Sequence, residues 1–220
     1  NLFAGEHSYT YEFKQPRINT LDNGLQVVNL EDTWQNDAIV GAPILPVKTA
    51  RILIPVEEEV TSISINAKSL ESIEGTYAIQ HATSPYPVSY EGPIIADEPD
   101  PDIYLTDANY PSVIHADRGS QYLHGSKIVL VDLAPVVYNP VSGQLKYYPQ
   151  IEVEIQTEWK GRPAGVMPTR NLPMDRARIL RAIDNKNDFL QLNPSPQDGK
   201  SALKSLSPES QPRQLDASQP

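Results

Sequence analysis

Residues 128–155, IVLVDLAPVVYNPVSGQLKYYPQIEVEI, constrain the fold more than any other part of this chain. In the second half, Leu145, Tyr147, Ile151, Val153 and Ile155 take odd positions, with Lys146, Gln150, Glu152 and Glu154 between them. That is the period of a half-buried strand. The first half, residues 128–138, is apolar on both phases, which predicts a strand covered on both faces. Between the halves, Asn139-Pro140-Val141-Ser142-Gly143 combines a fixed φ at Pro, access to positive φ at Gly, and side chains that bond nearby backbone. The expectation is an antiparallel hairpin with a loop of about five residues.

Further strands are expected from Tyr9, Tyr11 and Phe13, from residues 25–30 after the turn Asp22-Asn23-Gly24, and from Ala50, Ile52 and Ile54. Residues 61–67, with Ile63 and Ile65 on one phase, add another, and Tyr77 with Ile79 suggests one more. The sum is an all-β chain, an antiparallel β-sandwich of about seven or more strands rather than a parallel sheet.

Residues 80–126 interrupt this rhythm with prolines, acids and aromatics and no sustained period, so they read as a long irregular loop. Residues 161–171 read as a linker. A short basic helix is expected from Pro173 to about Asn187, with Pro at its first turn and Asp175 placed early. The remainder, rich in Ser, Pro and Gln, is expected to be disordered. Residues 1–160 are thus expected to form one domain, and residues 161–220 a linker, helix and tail. Charge divides at the same place: 9 Lys and Arg against 22 Asp and Glu up to residue 160, then 9 against 6.

A net charge of −10 argues against nucleic acid or an anionic membrane surface as partner. No apolar run approaches the roughly 20 residues of a membrane-spanning helix. With no cysteine there is neither a disulfide framework nor a thiol nucleophile in this chain. The N-terminus has no basic region followed by an apolar one, so the chain is either cytosolic or already relieved of a signal peptide, and Asn1 in place of Met favours processing or trimming.

Motifs for chemistry are sparse. His7, His81, His115 and His124 sit in no metal-ligand spacing, and there is no nucleophile elbow or phosphate-binding glycine loop. His115, Asp117 and Ser120 are close in sequence, but triads assemble in space. The acids Asp97, Glu98, Asp100, Asp102 and Asp107 could suggest calcium, yet an EF-hand count from Asp97 puts Asp102 where Gly and Ala108 where Glu are required. A solvated acidic loop is the simpler reading, and no cofactor or metal is expected. Arg118 is the local anomaly: it is the sole Lys or Arg between Lys68 and Lys127, while residues 91–117 carry seven carboxylates. Its guanidinium could pair with Asp117 or another loop acid, or its five donors could enter an acidic pocket of a partner.

The hairpin resembles the end of the N-terminal propeptide of gingipain-type cysteine peptidases, whose APxxYNPxxxxLxxY pattern is matched by Ala134, Pro135, Tyr138, Asn139, Pro140, Leu145 and Tyr148. Gly41, Pro43, Leu45 and Pro46 are similar to that family's G-x-P-x-L-P lead-in. The resemblance implies a non-catalytic β-sandwich prodomain that assists folding of a downstream caspase-like catalytic domain and keeps it latent. It further implies a loop laid across the active-site cleft with a basic side chain in the specificity pocket. In this chain the loop candidates are Arg118, Asp117, Tyr110 and Pro111. Activating cleavage would use an exposed basic site, for which Arg162, Arg170, Arg176, Arg178 and Arg181 are candidates. The implied partner is the cognate peptidase domain of the same precursor, and the implied location is secreted or on the surface of a bacterium. The alternative from residues alone is a secreted binding module for carbohydrate or a surface protein, using Trp34, Trp159 and the loop tyrosines.

Overall fold

A computed structural model describes residues 4–87, 89–92, 97–168 and 172–193. Two antiparallel sheets form a sandwich. In the first, β12 (Gln150–Trp159) lies between β1 (Ala4–Glu12) and β6 (Glu58–Lys68). The second runs in the order β4 (Trp34–Asn36), β5 (Leu45–Ile54), β9 (Ser126–Leu133), β8 (His115–Leu123). Beside them stand a small sheet of β10 (Val136–Asn139), β11 (Gln144–Tyr147) and β7 (Glu71–Ile73), and the ribbon of β2 (Arg17–Thr20) with β3 (Gln26–Asn29).

The alternation in β12 does what its period requires. Ile151, Val153 and Ile155 are fully buried against Ala50, Ile52 and Ile54 of β5 and Val129, Val131 and Leu133 of β9. On the outer face, Ser8 Oγ donates to Glu152 at 2.9 Å and Ser64 Oγ to Glu154 at 3.1 Å. Fully burying one such aliphatic side chain contributes about 1.5–3 kcal/mol, so this apolar layer dominates the sandwich.

The expected hairpin is real but smaller. Its turn joins β10 to β11, with Val136 opposite Tyr147 and Asn139 opposite Gln144. Asn139 Oδ1 accepts from the N–H groups of Val141 and Ser142, and Gly143 takes φ +68°. The long strands on either side do not pair. β9 bonds to β5 and β8, whereas β12 bonds to β1 and β6. Pro135 and Pro149 stand where the chain changes sheets, and neither can donate to a ladder. The strand expected at Tyr77 and Ile79 reduces to an isolated bridge between Gln26 and Ile79, because Ile79 is buried as a plug in the lateral core rather than as part of a ladder.

The basic segment forms two helices, α2 (Pro173–Ala182) and α3 (Lys186–Leu192), instead of one. They are not a detached appendage. Ile179, Ile183 and Phe189 pack on Leu53 and Ile128, the outward phase of β5 and β9, which explains why residues 128–133 are apolar on both phases. Helix α2 stops because Ile183 is extended, and this carries Asp184 and Asn185 along the edge of β5 that β4 leaves unpaired beyond Val47. Asp184 N–H donates to Arg51 C=O at 2.8 Å, while its carboxylate accepts from Arg51 N–H at 2.8 Å. The Asn185 amide copies a strand partner, accepting from Leu53 N–H and donating to Leu53 C=O, both at 2.8 Å. Tyr9 and Tyr11 of β1 complete the joint by donating to Asp188 at 2.7 Å and Asp184 at 3.2 Å. The disordered tail expected after Asn193 lies outside the described residues.

Two outcomes follow from this joint. Phe189→Ala should lower stability by about 3–5 kcal/mol and Asn185→Ala by about 1–3 kcal/mol, both read from urea titrations of the intact chain. Burial, followed by the charge and hydrogen bond of the nearby carboxylate, raises the phenol pKa of both Tyr9 and Tyr11. Their contribution is full below the unfolded value of about 10 and is lost as pH rises above it. Tyr9→Phe and Tyr11→Phe should therefore flatten the alkaline fall in stability, and an unchanged alkaline limb would contradict the joint.

Candidate functional site

Within the interval 80–126, the described residues are built, not slack. It contains a single-turn helix α1 (Pro101–Tyr104) and all of β8, and it is fastened at both ends by the residues of the two sequence motifs. At one end Gly41, buried with φ +81°, donates to Ala82 C=O and accepts from Asp100 N–H. A Cβ there would stand 2.8 Å from the Asp100 nitrogen, so both the backbone conformation and the close approach require glycine. Pro43 bridges His81, and Leu45 and Pro46 are buried at the start of β5. At the other end Tyr110 and Tyr138 exchange backbone hydrogen bonds at 2.8 Å, and Asn139 Nδ2 donates to Asp107 at 2.7 Å. Buried Ala134, Pro135 and Tyr138 anchor this side, and Pro140 lies within the turn.

Three of the five acids, Asp97, Asp100 and Asp107, have structural partners. Asp97 accepts from Ser84 and Asp100 caps α1 through Asp102 N–H. Among the described residues no three His, Asp or Glu side chains converge as metal ligands. Burial, then Tyr138 and Tyr110, push the Tyr104 phenol up to about 12, so it remains the donor to Ile79 C=O at 3.2 Å. Burial and then Asp100 raise the pKa of Tyr110 as well.

Strand β8 is almost wholly exposed and forms the edge of its sheet. A bulge interrupts its register between Asp117 and Ser120, with Gly119 at φ +78°. The bulge sends neighbouring side chains in different directions. Asp117 accepts from Gly119 N–H at 2.7 Å and lines a groove with Glu59 and Lys127 beside β6. Arg118 instead enters a cleft with Tyr110, Pro111, Asn36, Leu45 and Val47. Three of the four loop candidates thus meet in one place, and Asp117 faces away.

Arg118 pairs with neither Asp117 nor any other loop acid. Its Nε donates to Asp132 Oδ2 at 2.6 Å, and Thr49 Oγ1 donates to the other carboxylate oxygen at 2.6 Å. Trp34 Nε1 in turn donates to Thr49 Oγ1 at 3.1 Å. The side chain of Asp132 is 10% exposed and that of Arg118 56%, so the pair has a sunken base and a solvent-facing head. Asp132 and Thr49 were missed as site residues. The available signal was Asp132 itself, the single charge within residues 128–138.

The processing candidates are unlike one another. Arg162 donates to Glu57 at 2.8 Å, and Arg176 donates to Asn193 C=O and lies 5.3 Å from the Phe189 ring centre. Arg178 and Arg181 are exposed on α2, and Arg170 lies outside the described residues.

This is an antiparallel sandwich presenting a guanidinium at the lip of a cleft, and among the described residues no Ser or Thr hydroxyl is hydrogen-bonded to a histidine. The Propeptide_C25 family matches residues 25–168, and the chain belongs to that family of propeptides. It is similar in fold to a chain from the complex of Porphyromonas gingivalis RgpB pro- and mature domains, with TM-score 0.61, 18% identity, and coverage of 83% of this chain and 93% of that one. It is also similar to a chain from a structure giving insight into zymogenic latency of gingipain K from the same organism, with TM-score 0.55, 17% identity, and coverage of 71% and 87%. No curated protein sequence matches.

Gly41→Ala should cost about 1–2 kcal/mol for the left-handed backbone alone, plus displacement of Asp100. Hydrogen exchange should quicken across residues 97–105 before the sandwich itself loosens, and uniform exchange would show that Gly41 does not hold this loop.

Proposed function

We propose that this domain keeps a gingipain-like secreted cysteine peptidase latent and assists its folding, by laying the 80–126 segment across the active-site cleft. The observation that carries this reading is Arg118. It is the one base between Lys68 and Lys127, in a chain of a propeptide family, held with its head exposed beside Tyr110 and Pro111 on a segment pinned at both ends. A guanidinium so presented is suited to the carboxylate of a specificity pocket, where planar bidentate pairing is strong. The similar structure in which a pro- and a mature domain form a complex supports the same class of partner.

Tethering strengthens such inhibition, because a covalently linked domain acts at high effective concentration until the link is cut. Residues 1–160 would provide the inhibitory body, with helices α2 and α3 packed on it, and the rest of residues 161–220 the connection. Packing of Arg176 within the helical layer and helical structure at Arg178 and Arg181 disfavour cleavage there, since a peptidase needs an extended strand. Arg162 and Arg170 are the favoured processing positions.

Purified chain should inhibit the peptidase domain encoded in the same reading frame, and Arg118→Ala should raise the inhibition constant roughly 30-fold or more, the size of an interface hot spot. Full peptidase activity in excess folded chain would refute the inhibitory function. Wild-type inhibition by Arg118→Ala would remove this side chain from it.

A further inference from the structure

The geometry points to Asp132 as the positioning residue that aims Arg118, an inference that rests on the inhibitory reading of Arg118 above. A long arginine side chain on an exposed edge strand would ordinarily sample many rotamers, and ordering it on binding costs side-chain entropy. Here three features remove that freedom beforehand. The bulge with Gly119 at φ +78° turns Arg118 toward the cleft. The Asp132 carboxylate, 10% exposed and rooted in β9, takes the Nε–H at 2.6 Å. Thr49 Oγ1, itself held by Trp34 Nε1, locks the second carboxylate oxygen at 2.6 Å and so sets the plane of the acceptor.

Contact through Nε matters chemically. An end-on pair would consume the two terminal amino groups, whereas this side-on pair engages only Nε. Among the described residues the Nη groups make no hydrogen bond, and they are the pair that can meet a second carboxylate bidentately. The receptor implied is therefore a carboxylate on the partner, approached along the open side of the guanidinium. Lysine could not substitute, since an ammonium has no separate donor with which to hold Asp132 while presenting a fork outward.

A double-mutant cycle tests this against a purely structural ion pair, using the intact chain, the peptidase domain of the same reading frame, inhibition constants and thermal melts. Asp132→Asn should raise the inhibition constant roughly tenfold, within the coupling range of residues in contact. The same substitution should change it less than about twofold in an Arg118→Ala or Arg118→Lys background, because no Nε–H remains to be aimed. If Asp132→Asn does not fold, Thr49→Val, which frees the carboxylate without removing it, takes its place in the cycle. Equal effects of Asp132→Asn in all backgrounds, or none in the native background, would overturn the positioning role while leaving Arg118 as the inhibitory side chain. Wild-type inhibition by Arg118→Ala would instead overturn the underlying reading, and the positioning role with it.

Discussion

Strands β5 and β9 are buried on both faces, and the rest of the molecule is arranged to make that possible. One face is covered by the sheet of β1, β12 and β6, the other by helices α2 and α3. Covering a face is not sufficient, because β4 stops at Val47 and leaves the backbone of β5 open beyond it. Unpaired N–H and C=O groups at a buried edge are costly. Asp184 and Asn185 satisfy them at Arg51 and Leu53, and the phenols of Tyr9 and Tyr11 bind that joint to the opposite sheet. Strand β1 and both helices lie outside the residues matched by the propeptide family, yet they close the core that the matched residues share.

That closed core gives the candidate site its rigidity. Asp132 and Thr49 stand on β9 and β5, two strands packed from both sides, so the carboxylate under Arg118 has little room to move. The loop is fixed separately, at Gly41 and at the pairing of Tyr110 with Tyr138. The two motifs of the family resemblance therefore work as fasteners. Leu45 and Ala134 also line the cleft that Arg118 enters, and each motif determines where its segment begins or ends.

Legibility of the fold tracked how strongly side chains report their surroundings. The alternation of Ile151, Val153 and Ile155 and the two-phase apolarity of residues 128–133 declared their burial correctly. Strand β8, HADRGSQYL, was read as irregular because backbone pairing to β9 holds it while its side chains face solvent and carry no period. The turn at residues 139–143 was also legible, since its dihedral preferences are local. Which strands paired across it was not. Proximity in sequence suggested β9 with β12, whereas Pro135 and Pro149 divert them into opposing sheets.

Sequence alone determined that the chain is all-β, where its main turns fall, and that Arg118 is an isolated base in an acidic interval, because periodicity, turn chemistry and charge are written residue by residue. Tertiary structure decided what Arg118 is bonded to. Asp132 lies 14 residues away on the next strand, and Thr49 is 83 residues from Asp132. Only pairing of β8 and β5 on either side of β9 brings the three together. Likewise a helix after residue 173 could be foreseen, but neither its division into two nor their task at the open edge of β5 could, since hydrogen bonds spanning 132 residues leave no pattern in the intervening sequence.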